Sequence, residues 1–83
     1  MITIRYFASL REQLQCNREE LPWEKEWSTV ADIKTHLSKR DSHWLNTLTK
    51  NTVLIAVNQQ MANEKAPVKD GDEVAFFPPV TGG

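Results

Sequence analysis

The two most strand-like runs of this sequence lie at its opposite ends, at Ile2 to Phe7 and at Glu73 to Phe77. In the first, Ile2, Ile4 and Tyr6 alternate with Thr3, Arg5 and Phe7, the period of a strand with one well-buried face. The second follows Asp70-Gly71, a pair suited to a sharp reversal, and is stopped by Pro78-Pro79. Neither proline has an amide hydrogen for a ladder, and the pair favours an extended, solvated chain. Setting the two runs side by side in the middle of one sheet brings the most apolar segments to its centre. It also projects whatever follows Phe77 from one end. The residues between must then supply flanking strands and a cover.

Ser9 and Glu12 have capping-box spacing and Leu10 and Leu14 sit four apart, which predicts a short helix from about Ala8 to Gln15, ended by Asn17. Glu19 to Trp23 reads as a second strand, with Leu21 and Trp23 inward and charged neighbours outward, and Pro22 confines it to a sheet edge. Thr29-Val30-Ala31-Asp32 is a further capping-box pattern. Val30, Ile33 and Leu37 then recur at helical spacing to about Lys39, with basic residues in the last turn. Asp41 caps one more short helix carrying Trp44, Leu45 and Leu48 on one side. Val53 to Val57 is an apolar run of strand length for an inner position, Asn58-Gln59 is its turn, and a brief Met61-Ala62 segment follows. This order predicts an α+β domain: a mixed sheet of about five strands with a helix packed across one face.

Composition narrows what such a domain can do. A chain of 83 residues makes one small domain that buries roughly 60–65% of its unfolded surface, too little for a deep private active site. Ten Lys and Arg against eleven Asp and Glu, a net charge of −1, form no basic stripe. Nucleic acid and an anionic membrane are therefore not expected partners. The single cysteine, Cys16, has no disulfide or CxxC companion and reads as a buried or half-buried small apolar residue. No secretory signal pattern and no apolar run of the roughly 20 residues needed to span a bilayer are visible, so a cytoplasmic location is expected. His36 and His43 have no ligands arranged around them, no Ser-His-Asp set or phosphate-cradling loop can be assembled, and turn chemistry accounts for Asp70, Asp72 and Glu73. No metal site is expected.

The candidate chemistry sits on the last residues, Val80-Thr81-Gly82-Gly83. A terminal Gly-Gly offers a carboxylate with no side chain beside it, able to enter a narrow site on another protein. Such a carboxyl, with a pKa near about 3.5, is ionised at neutral pH and is a competent if weak nucleophile toward an activated phosphate. Pro78 to Gly83, extended at roughly 3.3 Å per residue, reaches about 20 Å beyond the domain. Val80 and Thr81 can add main-chain hydrogen bonds along a groove. Of Phe76 and Phe77, which point to opposite faces, one is core; Phe77, with Ala75 beside it on the outer face, can dock on a partner or be buried. Met61 poses the same choice.

Ile2-Thr3-Ile4-Arg5-Tyr6-Phe7-Ala8, Leu10-Arg11-Glu12, Thr29 to Ile33, Ala56-Val57-Asn58 and above all Asp70 to Gly83 resemble the small subunits of molybdopterin synthase, ubiquitin-like sulfur carriers of the β-grasp fold. The resemblance covers essentially the whole length. It implies a β-grasp domain over residues 1–77 and an extended tail over 78–83, non-catalytic alone. In that family the Gly83-equivalent carboxylate attacks the α-phosphate of ATP on a ubiquitin-activating-type adenylyltransferase, and a sulfur donor protein displaces AMP to leave a thiocarboxylate. Within a complex with the larger synthase subunit, expected as two small and two large chains, this sulfur passes to cyclic pyranopterin monophosphate to build the molybdopterin dithiolene. The resemblance thus implies Gly83 as the reacting residue and Gly82, Thr81, Val80, Pro79, Phe77 and Met61 as partner contacts. No stably bound cofactor is implied, since ATP is consumed by the activating enzyme. Sulfur carriers of the thiamine or tungsten-cofactor pathways, or a ubiquitin-like binding module without tail chemistry, are the alternatives. The Trp23 to Trp27 segment and the Gln59-Gln60 turn depart from the family's pattern.

Overall fold

In the computed structural model the described residues are 1–50 and 52–79. Chain order is β1 (Ile2–Tyr6), α1 (Ala8–Leu14), β2 (Arg18–Leu21), α2 (Val30–Ser38), α3 (Ser42–Leu48), β3 (Leu54–Val57), β4 (Gln60–Ala62) and β5 (Glu73–Phe77). The five strands form one sheet in the order β2-β1-β5-β3-β4. The two terminal strands do lie side by side: β5 is the middle strand and runs parallel to β1, while the β1–β2, β5–β3 and β3–β4 pairs are antiparallel. Parallel neighbours need a long crossover between them, and residues 7–72, holding all three helices, provide it.

The alternation in β1 sets the core. Ile2, Ile4 and Tyr6 have no exposed surface, nor do Val74 and Phe76 of β5. The Tyr6 and Phe76 rings stack with centroids 6.1 Å apart, and the Trp44 ring of α3 meets Tyr6 edge-on at 5.5 Å. Val30, Ile33 and Leu37 of α2 and Leu48 of α3 close over this face, each fully buried. Phe77 belongs to the opposite face of the sheet.

Several local expectations hold and others change. The Asp32 carboxylate accepts hydrogen bonds from the backbone amides of Ser28 (2.8 Å) and Thr29 (3.0 Å), as a capping box requires, and these amides draw its pKa down. The amides of Val30 and Ala31 at the start of α2 donate to the Ala66 and Glu64 carbonyls, which ties the helix to the loop after β4. Asp41 caps α3 through the Trp44 amide at 2.9 Å. The Ser9–Glu12 box does not form: Phe7 is the N-cap of α1 and makes no side-chain cap bond. A left-handed Ala8 (φ 54°) turns the chain off β1 directly into the helix, so Ser9 is already inside it. In α3 Leu45 is 45% exposed, and Thr47 is buried in its stead beside Leu48. The helix is rotated so that 44, 47 and 48, not 44, 45 and 48, turn inward. Strand β2 stops at Leu21, before Pro22, and the half-buried Trp23 instead packs edge-on against Trp27, centroids 5.8 Å apart.

The inward neighbour of Leu21 on β2 is a charged residue, Glu19. Its carboxylate is held in two parallel bonds by the Arg40 guanidinium (2.9 and 2.6 Å) and accepts the Tyr6 hydroxyl at 2.7 Å. Arg40 in turn lies 4.5 Å over the Trp44 ring. Burial alone would raise the Glu19 pKa, but the bonds from Arg40 and Tyr6 outweigh it and hold the carboxyl below its ordinary value. Burial first, and then the bond to Glu19, push the Tyr6 hydroxyl far above its usual range. The cluster pins the edge strand to the turn between α2 and α3. Cys16 is half-buried beside it, its thiol also pushed up by burial and by Glu19, which makes it a poor nucleophile.

Candidate functional site

The strand register decides what the open face of the sheet presents. Residues paired across a ladder point to the same side, so Phe77 faces out with Leu54, Ala75 with Ala56 and Arg5, and Ala56 with Met61. Phe7 comes off the end of β1 on this side, its ring edge-on to Phe77 with centroids 6.4 Å apart. Phe7, Leu54 and Phe77 are half-buried, whereas Met61 is 65% exposed. Ala56 and Ala75, at 8% and 6%, form the low floor between these larger side chains. The result is an apolar patch on a face that no helix among the described residues covers.

The choice between Phe76 and Phe77 is settled by alternation: Phe76 is in the core, and Phe77 is shared between its ring partner and solvent. Pro78 and Pro79 follow without regular structure, both half-buried. Gly83, Gly82, Thr81 and Val80 lie outside the described residues. What the structure does place is their point of departure. The middle strand delivers the chain to Pro79 at the Phe7–Phe77 end of the patch. Phe7 and Leu54 were not singled out from the sequence. Their signal was the alternation of β1 and the apolar run of β3, but their joining to Phe77 depends on which strands are neighbours.

At the other end of β5 the turn is built to hold the strand in register. Asn58 and Gln59 both adopt left-handed angles (φ 51° and 68°), giving a two-residue hairpin between β3 and β4. The Asn58 side chain accepts from the Glu73 amide and donates to Asp72, both at 3.0 Å, and buried Asp72 also accepts from the Lys69 amide at 2.9 Å. Asp72 therefore belongs to the turn. Gly71 (φ 96°) supplies the reversal before it. Among the described residues no group of three His, Cys, Asp or Glu side chains gathers to hold a metal ion. No described helix is long and apolar enough to cross a membrane.

The ThiS family model matches residues 4–83. The chain belongs to the ThiS family. The molybdopterin synthase sulfur carrier subunit of Haemophilus influenzae is 37% identical over 83 residues and that of Escherichia coli 39%, each match covering all of both chains. With these two relatives the family is that of the ubiquitin-like sulfur carriers, and the mixed five-stranded sheet with its three helices is their fold. Among solved structures, a complex of subunits 1 and 2 of the molybdopterin-converting factor from Helicobacter pylori contains a chain of the same fold, with a TM-score of 0.67 at 23% identity. That match covers 99% of this chain and 97% of the other.

Proposed function

We propose that this chain is the sulfur carrier subunit of a molybdopterin synthase, working from the cytoplasm and catalysing nothing by itself. The observation that carries the reading is the full-length match to two sulfur carrier subunits, in a match to the family that extends through Gly83. The route from the centre of the sheet to the double proline supports it. Gly83 is the reacting residue. Its carboxylate attacks the α-phosphate of ATP on an adenylyltransferase, forming an acyl-adenylate and releasing pyrophosphate. A sulfur donor protein then displaces AMP and leaves the terminal thiocarboxylate, which gives its sulfur to cyclic pyranopterin monophosphate in the larger subunit.

The fold suits this division of labour. A thiocarboxylate needs no groups from its own domain if a partner surrounds it, and six residues from Pro78, extended at roughly 3.3 Å each, reach about 20 Å. Glycines at 82 and 83 leave the end slim enough for a tunnel, while Pro79, Val80 and Thr81 line its entrance. Phe77 and Met61, with Phe7 and Leu54, form the docking surface of the globule on the larger subunit. The Helicobacter pylori chain is seen in complex with a second subunit of its converting factor.

The test is to load this protein with sulfur and supply it to its cognate larger subunit and cyclic pyranopterin monophosphate. Deletion of Gly83 is expected to abolish molybdopterin formation while leaving circular dichroism and affinity for the larger subunit close to those of the parent. Product formed at the parent's rate by the shortened chain would refute the reading. Formation of thiamine thiazole instead of molybdopterin would move the chain to a different pathway.

A further inference from the structure

We propose that Arg5 and Arg18 together bind an acidic side chain of the protein that docks on the open face of the sheet, a proposal that rests on the docking role given to that face above. The two arginines are direct cross-strand partners in β1 and β2 and point to the same side as Ala75. Side chains so placed start about 5 Å apart, and like charges there repel. The ion pairs formed among the described residues are Met1–Asp70, Lys34–Glu64 and Arg40–Glu19, none of which uses either arginine. Glu20 and Glu73, the nearest carboxylates in the register on this face, lie opposite Thr3, one step along from Arg5, and form no ion pair with either arginine among the described residues. Two positive charges are thus left side by side at the edge of an apolar patch, without an ion-pair partner among the described residues.

Arg5 is also held still. Its guanidinium lies 4.8 Å over the Phe7 ring, and its Nε is sealed from solvent without a hydrogen-bond partner among the described residues. The sealed Nε is out of a partner's reach, so the contact falls to the two terminal nitrogens of the fork, which is set against an aromatic face and arranged in advance for a carboxylate. Phe7 ties the charge to the apolar surface it shares with Phe77. A partner that covers the two rings would exclude water from Arg5, where an ion pair gains strength. The occupant is therefore an aspartate or glutamate flanked by apolar side chains. Arg5 supplies the directional contact, and exposed Arg18 adds charge that steers the approach.

The test is calorimetric titration of the full chain with its cognate larger subunit at low and high salt. Arg5→Leu combined with Arg18→Gln is expected to weaken binding about tenfold or more at low salt and to remove most of its salt dependence. Arg18→Gln alone, at an exposed position, should slow association with no change in melting temperature, and Arg5→Lys should recover only part of the affinity. Arg5→Glu should be rescued by reversing one acidic residue of the partner. Affinity within about twofold of the parent for the double variant, with the salt dependence unchanged, would overturn the proposal. Phe77→Ala separates the two levels. If it weakens binding while the arginine variants do not, only the carboxylate contact falls. If it has no effect, or the parent does not bind, the docking role falls and takes this proposal with it.

Discussion

The two faces of the sheet are made from the same strands, one residue out of step, and differ in what completes them. On the helix side Ile4, Tyr6, Val74 and Phe76 are wholly enclosed, and even the charged Glu19 is satisfied by Arg40 and Tyr6. On the open side Phe7, Leu54 and Phe77 are half-covered, Met61 is exposed, and Arg5 has no ion-pair partner among the described residues. The first face satisfies its own groups; the second leaves apolar area and a charge for another molecule to satisfy. In so small a domain a single layer of helices closes only one side of a sheet, so the other is available for recognition.

The sharpest way to break this contrast is to cut one ring from each face. Phe76→Ala should cost about 3–5 kcal/mol, a large share of the stability of a domain this size, when measured by denaturant unfolding. Phe77→Ala should cost no more than about half as much and show its main effect as weaker binding to the larger subunit. Equal losses of stability would erase the distinction between the faces.

The Glu19 cluster comes next. Glu19→Gln removes the bidentate pair with Arg40 and weakens the Tyr6 bond, at about 1–3 kcal/mol at neutral pH. Because the folded carboxyl titrates below its unfolded value, its contribution is complete above the ordinary glutamate range and is lost as pH falls through the folded pKa. Unfolding of parent and variant should therefore converge in acid, and a gap that stays constant with pH would show that the charge plays no part. Asp41→Ala should then cost about 1 kcal/mol by uncapping α3, without touching affinity for the partner. Smallest, and of opposite sign, Gln59→Gly should raise stability by up to about 1 kcal/mol in thermal unfolding, since Gln59 sits at a left-handed angle that glycine adopts without strain.

Features that depend on sequence neighbours were legible from the residues alone. The alternation of Ile2, Ile4 and Tyr6, the Thr29–Asp32 box, the Asp41 cap and the strand between Asp72 and Pro78 all stand where the spacing put them. Features that depend on distant partners were not. Glu19 shares the inward side with Leu21 by alternation, but what would satisfy its charge there was not legible, because its partners, Tyr6 and Arg40, are 13 and 21 residues away. Leu45 looked like core because hydrophobicity alone does not reveal how a seven-residue helix is rotated, and Thr47 took the inner place. The helix begins at Ala8 as expected, but the Ser9 box failed because a left-handed Ala8 makes Phe7 the N-cap, an angle no spacing rule anticipates for alanine. Of the candidate site, Phe77 and Met61 were visible as surface candidates, while Arg5, Phe7 and Leu54 joined them only through the strand order.

The intact mass of the protein after incubation with its adenylyltransferase, ATP and a sulfur donor is the most direct measurement of what the chain carries. A gain equal to the exchange of one oxygen for sulfur, mapped by fragmentation to Gly83 and lost when ATP is withheld, is the predicted result. An unchanged mass under conditions that load a related carrier, or sulfur found on Cys16, would contradict it.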